Sequence, residues 1–307
     1  MNIFNNTKIN FMALKKVGFI LSSILATGSI LMLMMGINLG IDFKGGTMIG
    51  LSFSKDVTIQ EVRSSLENVI IDENKFDLSG EEIRYFGSNR EVMIKIKSFD
   101  ENEPKNFGQG VINNIYETMK DKVPENKNEF VLSIGAVSPK VGSELSGQAL
   151  WSIISALVLI LFYISIRFEF RFAIGAILAL VHDIVITLGI FSLTGYEITL
   201  STIAAFLTIV GYSLNDTIVI LDRIRENMKS SGTVMFENTI NKSINQSLSR
   251  TIITSLTTLL VIVVLLIYGG QIIRPFAFTM LVGVIIGTYS SIYIASGFLA
   301  YIYKSSD

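Results

Sequence analysis

The chain has no cysteine and a single histidine among its 307 residues. Without cysteine there are no disulfides, thiolate nucleophiles or cysteine metal sites. That absence leaves the redox compartment open. The one histidine, His182, sits in no HExxH pattern and has no clustered carboxylates around it, so it reads as no metal site. Charge is also scarce: 17% of residues are charged and the net charge is −1. Bulk charge therefore points to no nucleic-acid partner. Apolar residues are what the chain has in excess, at 50% of the sequence and a mean hydropathy of +0.53. Several long apolar runs settle the class as a polytopic membrane protein.

Residues 1–16 are polar and carry Lys8, Lys15 and Lys16, and the apolar run Val17–Ile37 follows. Basic residues before an apolar run also fit a cleaved signal peptide. This run is too long for one, and no small-residue cleavage site follows it, so we read an uncleaved first span. Five more apolar spans are predicted, at Leu150–Ile166, Phe172–Leu193, Ile198–Leu221, Thr251–Tyr268 and Phe276–Tyr303.

Residues 38–145 are the only long polar region. Thr47–Phe53 and Glu91–Lys97 alternate like half-buried strands, and Asp77–Phe86 and Glu129–Val137 are further strand candidates. Thr58–Val69 and Phe107–Val123 read as helices. The order β-α-β-β-α-β predicts a small ferredoxin-like α/β domain. The chain thus divides into 1–37 (N-terminus and first helix), 38–145 (α/β domain) and 146–307 (five-helix domain).

Six spans put both termini on one side. Lysine and arginine gather at the N-terminus, in 167–171, in 222–250 and at Lys304, whereas the opposite short loops carry only Arg274. The positive-inside rule places both termini in the cytoplasm and the α/β domain outside it. In the 222–250 connector, Phe236, Ile240, Ile244 and Leu248 recur at helical spacing. Two readings fit: an amphipathic helix in the cytoplasmic interface, or a short helix packed on the bundle.

Asp216 lies in GYSLNDTIVILDRIREN (211–227), seven residues before Arg223. That is roughly 10 Å of helical rise, which sets Asp216 below the headgroups if Arg223 marks the water boundary. An ionisable group at such depth costs at least about 2.5 kcal/mol and is a functional candidate. Arg250 opens the fifth span, on a face with Ser247, Thr254, Thr257 and Thr258. At matching depth on the next helix, it is the simplest counter-charge for Asp216. The alternative is that Arg250 snorkels to the headgroups. His182 and Asp183 fall mid-way along the third span. Gly175, Ala179, Asp183 and Thr187 recur every four residues there, which turns Asp183 toward protein. A structural hydrogen bond and a relay beside Asp216 both fit. Asn215 is a third polar candidate, for relay or structure. In the last span Gly283, Gly287, Ser291 and Ala295 form a small-residue stripe, which a lone six-span half leaves for a second subunit.

At GIDFKGGT (40–47), RFEFR (167–171), VHD (181–183), GYSLNDTIVILDRIREN and LSRTIITSLTT (248–258), the chain resembles the SecF-type members of the SecD/SecF family. The resemblance covers nearly the whole chain. It implies an RND-type six-span half that works with SecD and the SecYEG channel on translocating preproteins. It also implies use of the proton gradient (Na⁺ being the other candidate ion) through the residues matching Asp216 and Arg250, with no enzymatic activity and no bound cofactor. The expected setting is the bacterial cytoplasmic membrane and its lipids. Two other classes are weighed. An autonomous RND exporter of small molecules or lipids typically carries two such halves, and no internal repeat or second soluble domain is found. An intramembrane aspartyl protease using Asp183 and Asp216 would typically show a GxGD motif, whereas Asp216 follows Ser-Leu-Asn.

Overall fold

The computed structural model describes residues 7–72, 74–97, 106–167, 169–231 and 236–304. The chain separates into two compact units, one of residues 39–150 and one of residues 1–38 with 151–307.

The smaller unit is built on a four-stranded antiparallel sheet. Its strands are β1 (Gly46–Ser52), β4 (Glu82–Phe86), β5 (Ser88–Ile96) and β6 (Val131–Val137), in the order β4-β5-β1-β6. Helix α2 (Ile59–Ser65) follows β1, and α3 (Phe107–Thr118) precedes β6. This is the expected ferredoxin-like order, with each helix crossing between strands that are not sheet neighbours. Alternation decides the faces: Val92, Ile94 and Ile96 of β5 are buried, and they pair with the buried Leu51, Ile49 and Thr47 of β1. Phe130 completes this core edge-on to Phe53, with ring centroids 5.3 Å apart. A small hairpin, β2 (Val69–Ile71) with β3 (Asn74–Phe76), was not anticipated. It begins where the expected helix over 58–69 was to end, because Val69 and Ile71 alternate into the core.

Glycines 45 and 46 have a local role. Both have positive φ, and a Cβ on Gly45 would lie 2.9 Å from the Pro139 backbone. Only glycine gives both the conformation and the approach.

The larger unit holds the membrane spans, apart from the first part of the second, Pro139–Arg167. Six helices are long and apolar enough to cross a bilayer: Phe11–Met34, Pro139–Arg167, Phe170–Leu193, Leu200–Ser230, Phe236–Tyr268 and Ile273–Tyr303. We label their α-helices α1 (Lys15–Met34), α4 (Pro139–Arg167), α5 (Phe170–Leu193), α6 (Leu200–Ser231), α7 (Phe236–Tyr268) and α8 (Gly270–Ser290). A π-turn at Ser291–Ala295 carries α8 into α9 (Ser296–Lys304).

Small residues set which helices touch. A Cβ on Gly189 of α5 would fall 2.2 Å from Ser29 of α1, and one on Gly283 of α8 would fall 2.3 Å from Ile209 of α6. Gly287 meets Ser213 in the same way. The stripe of Gly283, Gly287, Ser291 and Ala295 is therefore consumed inside the chain, against α6 and α5, and is not left for a second subunit.

The 222–250 connector also differs from one of its two readings. No helix breaker separates Leu248 from the fifth span, so α7 runs without interruption for 33 residues. Phe236, Ile240, Ile244 and Leu248 are buried in the bundle core with Ile220, Leu221 and Ile224 of α6. They pack on the bundle, as part of a long helix and not of a short separate one.

Candidate functional site: a buried acidic and hydroxyl belt

Helix α6 carries Ser213, Asp216 and Thr217 on its inward face, and all three are buried. Asp216 is 3% exposed, and its Oδ2 lies 3.5 Å from the Ser255 hydroxyl of α7. That distance is at the outer limit of a hydrogen bond. Ser255 is 2.8 Å from Thr288 Oγ1 of α8, which in turn donates to the Val284 carbonyl. The belt continues just past the end of α8, where Ser291 Oγ lies 2.8 Å from Thr217 Oγ1. It passes through the π-turn, a geometry that recurs at functional sites because it re-aims side chains within a helix.

Asp183 is the second buried carboxylate and is fully enclosed. Its Oδ2 accepts hydrogen bonds from Ser213 and Ser290, the latter at 2.7 Å, and its Oδ1 lies 2.9 Å from His182 Nδ1. Asp183 thus ties α5, α6 and α8 together. His182 sets its ring 6.2 Å from that of Tyr289, and its Nε2 is buried without a hydrogen-bond partner among the described residues. Tyr289 reaches α1, donating to the Gly18 carbonyl and contacting Ser22. Asn215 is exposed on the outer side of α6 and stands apart from the belt.

The expected Asp216–Arg250 ion pair is not formed. Arg250 is exposed, and no ion pair joins the two groups among the described residues. The reason is helical geometry. Ser255 is the α7 residue that meets Asp216, and Arg250 precedes it by five positions. That places Arg250 about 7 Å lower and about 140° round the helix. The Arg250 charge still acts on Asp216 across this distance, without a direct ion pair. The inward ladder on α7 is Ser243, Ser247, Thr251 and Ser255, every fourth residue and all buried. Of the face read with Arg250, only Ser247 belongs to this ladder. Thr254 and Thr257 return their hydroxyls to their own helix, at the carbonyls of Arg250 and Ile253.

Arg250 instead lines a crevice of about 380 Å³ with Val219, Asp222, Arg223, Glu226, Gln246 and Ser247. Val219 lies one turn beyond Asp216 on the same face of α6, so the crevice ends close to the buried acid. Its other charges are matched: Asp222 pairs with Arg167 and Arg225, and Glu226 with Arg223. Arg250 is the crevice cation with no ion-pair partner among the described residues.

Sequence reasoning missed Ser213, Ser255, Thr288 and Ser290. Ser255 was legible through its four-residue spacing from Ser243, Ser247 and Thr251. The hydroxyls of α8 carried no such signal, since Thr288 and Ser290 are two residues apart and show no helical period.

Residues 116–305 match the family described as "Protein export membrane protein SecD/SecF, C-terminal", and residues 30–57 match the "SecD/SecF GG Motif". The chain is 43% identical to the protein translocase subunit SecF of Calditerrivibrio nitroreducens, over 99% of this chain and 96% of that one. It is 44% identical to SecF of Desulfurispirillum indicum, over 95% and 91%. The crystal structure of SecDF from Thermus thermophilus superposes with a TM-score of 0.83 at 35% identity. That match covers 99% of this chain but spans only 40% of the SecDF chain. The relatives carry the name of a transport subunit and not of an enzyme. By family match, identity over nearly its full length and fold, this multi-pass bacterial membrane chain belongs to the SecD/SecF family, as a SecF-type protein translocase subunit.

Proposed function

We propose that the chain uses the proton motive force to assist preprotein translocation and release through SecYEG, in complex with SecD. The observation that carries this reading is the state of Asp216: buried among helices, with one long hydroxyl contact from Ser255, and one turn from a crevice lined by Arg250, whose charge acts on it without an ion pair. Desolvation favours the neutral acid, whereas a cation brought close favours the carboxylate. A carboxyl group balanced between these influences takes up and releases protons. When Asp216 is ionised, Arg250 is drawn from the crevice toward it; when Asp216 is protonated, Arg250 returns to the crevice. Helices α6 and α7 carry the two groups, so this exchange shifts them against each other. Asp183 and His182 hold α5 and α8 in place around the moving pair.

In this reading both termini are cytoplasmic, from the basic-loop asymmetry, and residues 38–145 face the far side, where emerging preproteins are met. SecD is the partner in this reading because the SecDF structure that this chain matches over 40% of its length joins the two names. The ion is H⁺, with Na⁺ the competing candidate. Reconstitution with SecD and SecYEG tests this. Preprotein import should rise when a proton gradient is imposed and should not rise when a sodium gradient replaces it. Import unaffected by either gradient contradicts the reading.

A further inference from the structure

We propose that a crevice at the polar foot of α1 and α7 binds a phosphate-bearing anion, the headgroup of an acidic phospholipid. The inference stands apart from the transport cycle and goes beyond it. The crevice measures about 390 Å³, and its lining includes Lys8, Asn238, Asn241, Lys242, Asn245 and Gln246. A site of that size falls in the range of small-ligand pockets.

Asparagines build it. Asn245 Oδ1 accepts the Ile9 amide at 3.0 Å, and its Nδ2 donates to the Ile9 carbonyl at 2.8 Å. Asn241 Oδ1 accepts the Met12 amide at 3.0 Å, and its Nδ2 donates to Asn10 Oδ1 at 2.9 Å. Two side-chain amides thus hold the N-terminal segment on α7 as a strand partner would. Phe11 and Met12 anchor the same segment by burial in the bundle core. The clamp holds Ile9, next to Lys8, and both Lys8 and Lys242 line the crevice.

Three groups of the lining are donors: the Lys8 and Lys242 ammonium groups and one side-chain amide. Gln246 Oε1 accepts from Asn227 Nδ2 at 2.8 Å, which leaves the Gln246 Nε2 amide to donate. Among the described residues, no aspartate or glutamate lines the crevice. The carboxylate at the start of α7, Glu237, is engaged by Lys15. Neither Lys8 nor Lys242 has an ion-pair partner among the described residues. Two ammonium groups and an amide donor facing one small space suit the oxygens of a phosphate.

Position selects a lipid as the source. Lys8 precedes the apolar segment beginning at Phe11 by three residues. On α7, Lys242 and Gln246 fall in the first third of the apolar span Phe236–Tyr268. A headgroup layer is roughly 5–8 Å thick on each side of the hydrocarbon. Above the crevice, Val17, Ile20, Leu21 and Ile24 of α1 are exposed and apolar, a surface for acyl chains. Basic residues at this level attract anionic lipids.

The test is native mass spectrometry of the full chain released from phosphatidylcholine nanodiscs holding a minor share of phosphatidylglycerol. Wild type should retain phosphatidylglycerol. Lys8→Gln/Lys242→Gln should weaken retention by about fivefold per lysine. Both lysines are exposed and outside the asparagine clamp, so the variant keeps the fold. Lys16→Gln/Lys229→Gln removes the same charge outside the crevice and should retain phosphatidylglycerol as wild type does. Equal retention by all three proteins, or equal loss from both variants, overturns the site. Protection of Lys8 and Lys242 from acylation by inorganic phosphate in detergent, without any phosphatidylglycerol preference in nanodiscs, overturns the lipid in favour of a soluble phosphate.

Discussion

The Ser255 hydroxyl stands 3.5 Å from the Asp216 carboxylate and 2.8 Å from Thr288 Oγ1. Asp216 is therefore joined to α8 through one serine, while Arg250 waits in the crevice below. A carboxylate with so few contacts is poorly fixed in one charge state, as a group that must exchange a proton requires.

Because Asp216 and Arg250 do not touch in this state, their substitutions should act independently on stability. Asp216→Asn and Arg250→Ala are expected to add within about 0.5 kcal/mol. Arg250→Ala alone, at an exposed position, should stay near that same size. Unfolding of the single and double variants in detergent checks this. A coupling well above 1 kcal/mol would mean that the pair is formed in the resting protein.

Asp183 should behave differently. Its carboxylate takes contacts from Ser213, Ser290 and His182. At roughly 0.6 kcal/mol for each membrane hydrogen bond, Asp183→Ala should cost about 2 kcal/mol. Asp183→Asn, which keeps one acceptor, should cost less. Equal stability of both variants and wild type in thermal unfolding would remove Asp183 from its structural place.

Close helix contacts give a paired prediction. Gly189→Ala drives a Cβ to 2.2 Å from Ser29, with the Ser29 backbone at 2.4 Å, whereas Gly28→Ala meets nothing within 4 Å. The first should destabilise by about 1–3 kcal/mol through overpacking. The second should fall within about 0.5 kcal/mol of wild type. Thermal unfolding of the two variants separates them.

The α/β unit carries an acid-sensitive contact. Glu61 is held at a pKa of about 2 against an ordinary 4.5, first by its hydrogen bond to Lys122 and then by the Thr58 amide of its helix cap. A depressed carboxylate stabilises the fold above the unfolded value and loses that contribution as pH falls toward the folded one. The cap at Thr58–Val62 should therefore loosen between about pH 4.5 and 2. Hydrogen exchange of these amides, corrected for intrinsic rates, should rise across that window in wild type. It should be raised already at neutral pH in Glu61→Gln. A flat profile in wild type would contradict the linkage.

Much of this was legible in the sequence, because hydrophobic period and charge depth act locally. The six spans follow from apolar length, and the sheet follows from alternation in segments such as Glu91–Lys97. The small hairpin at Val69–Phe76 was not, since its three-residue strands are too short to show a period. Asp216 stood out because a charge in an apolar run is costly wherever it points. Its contact did not stand out: Arg250 matched in chemistry, but five residues of helical rotation from Ser255 decide the facing side. The glycine stripe of α8 showed that something approaches closely, while only the packed bundle identifies α6 and α5 as the neighbours.

The most direct test of the central claim is preprotein import into inverted vesicles with and without a proton gradient, comparing wild type with Asp216→Asn. Asparagine keeps the shape and can hydrogen-bond with Ser255, but it cannot titrate. The account predicts that the gradient-dependent increment of import disappears in the variant, while gradient-independent import and association with SecD remain. Full gradient-dependent import by Asp216→Asn would contradict it.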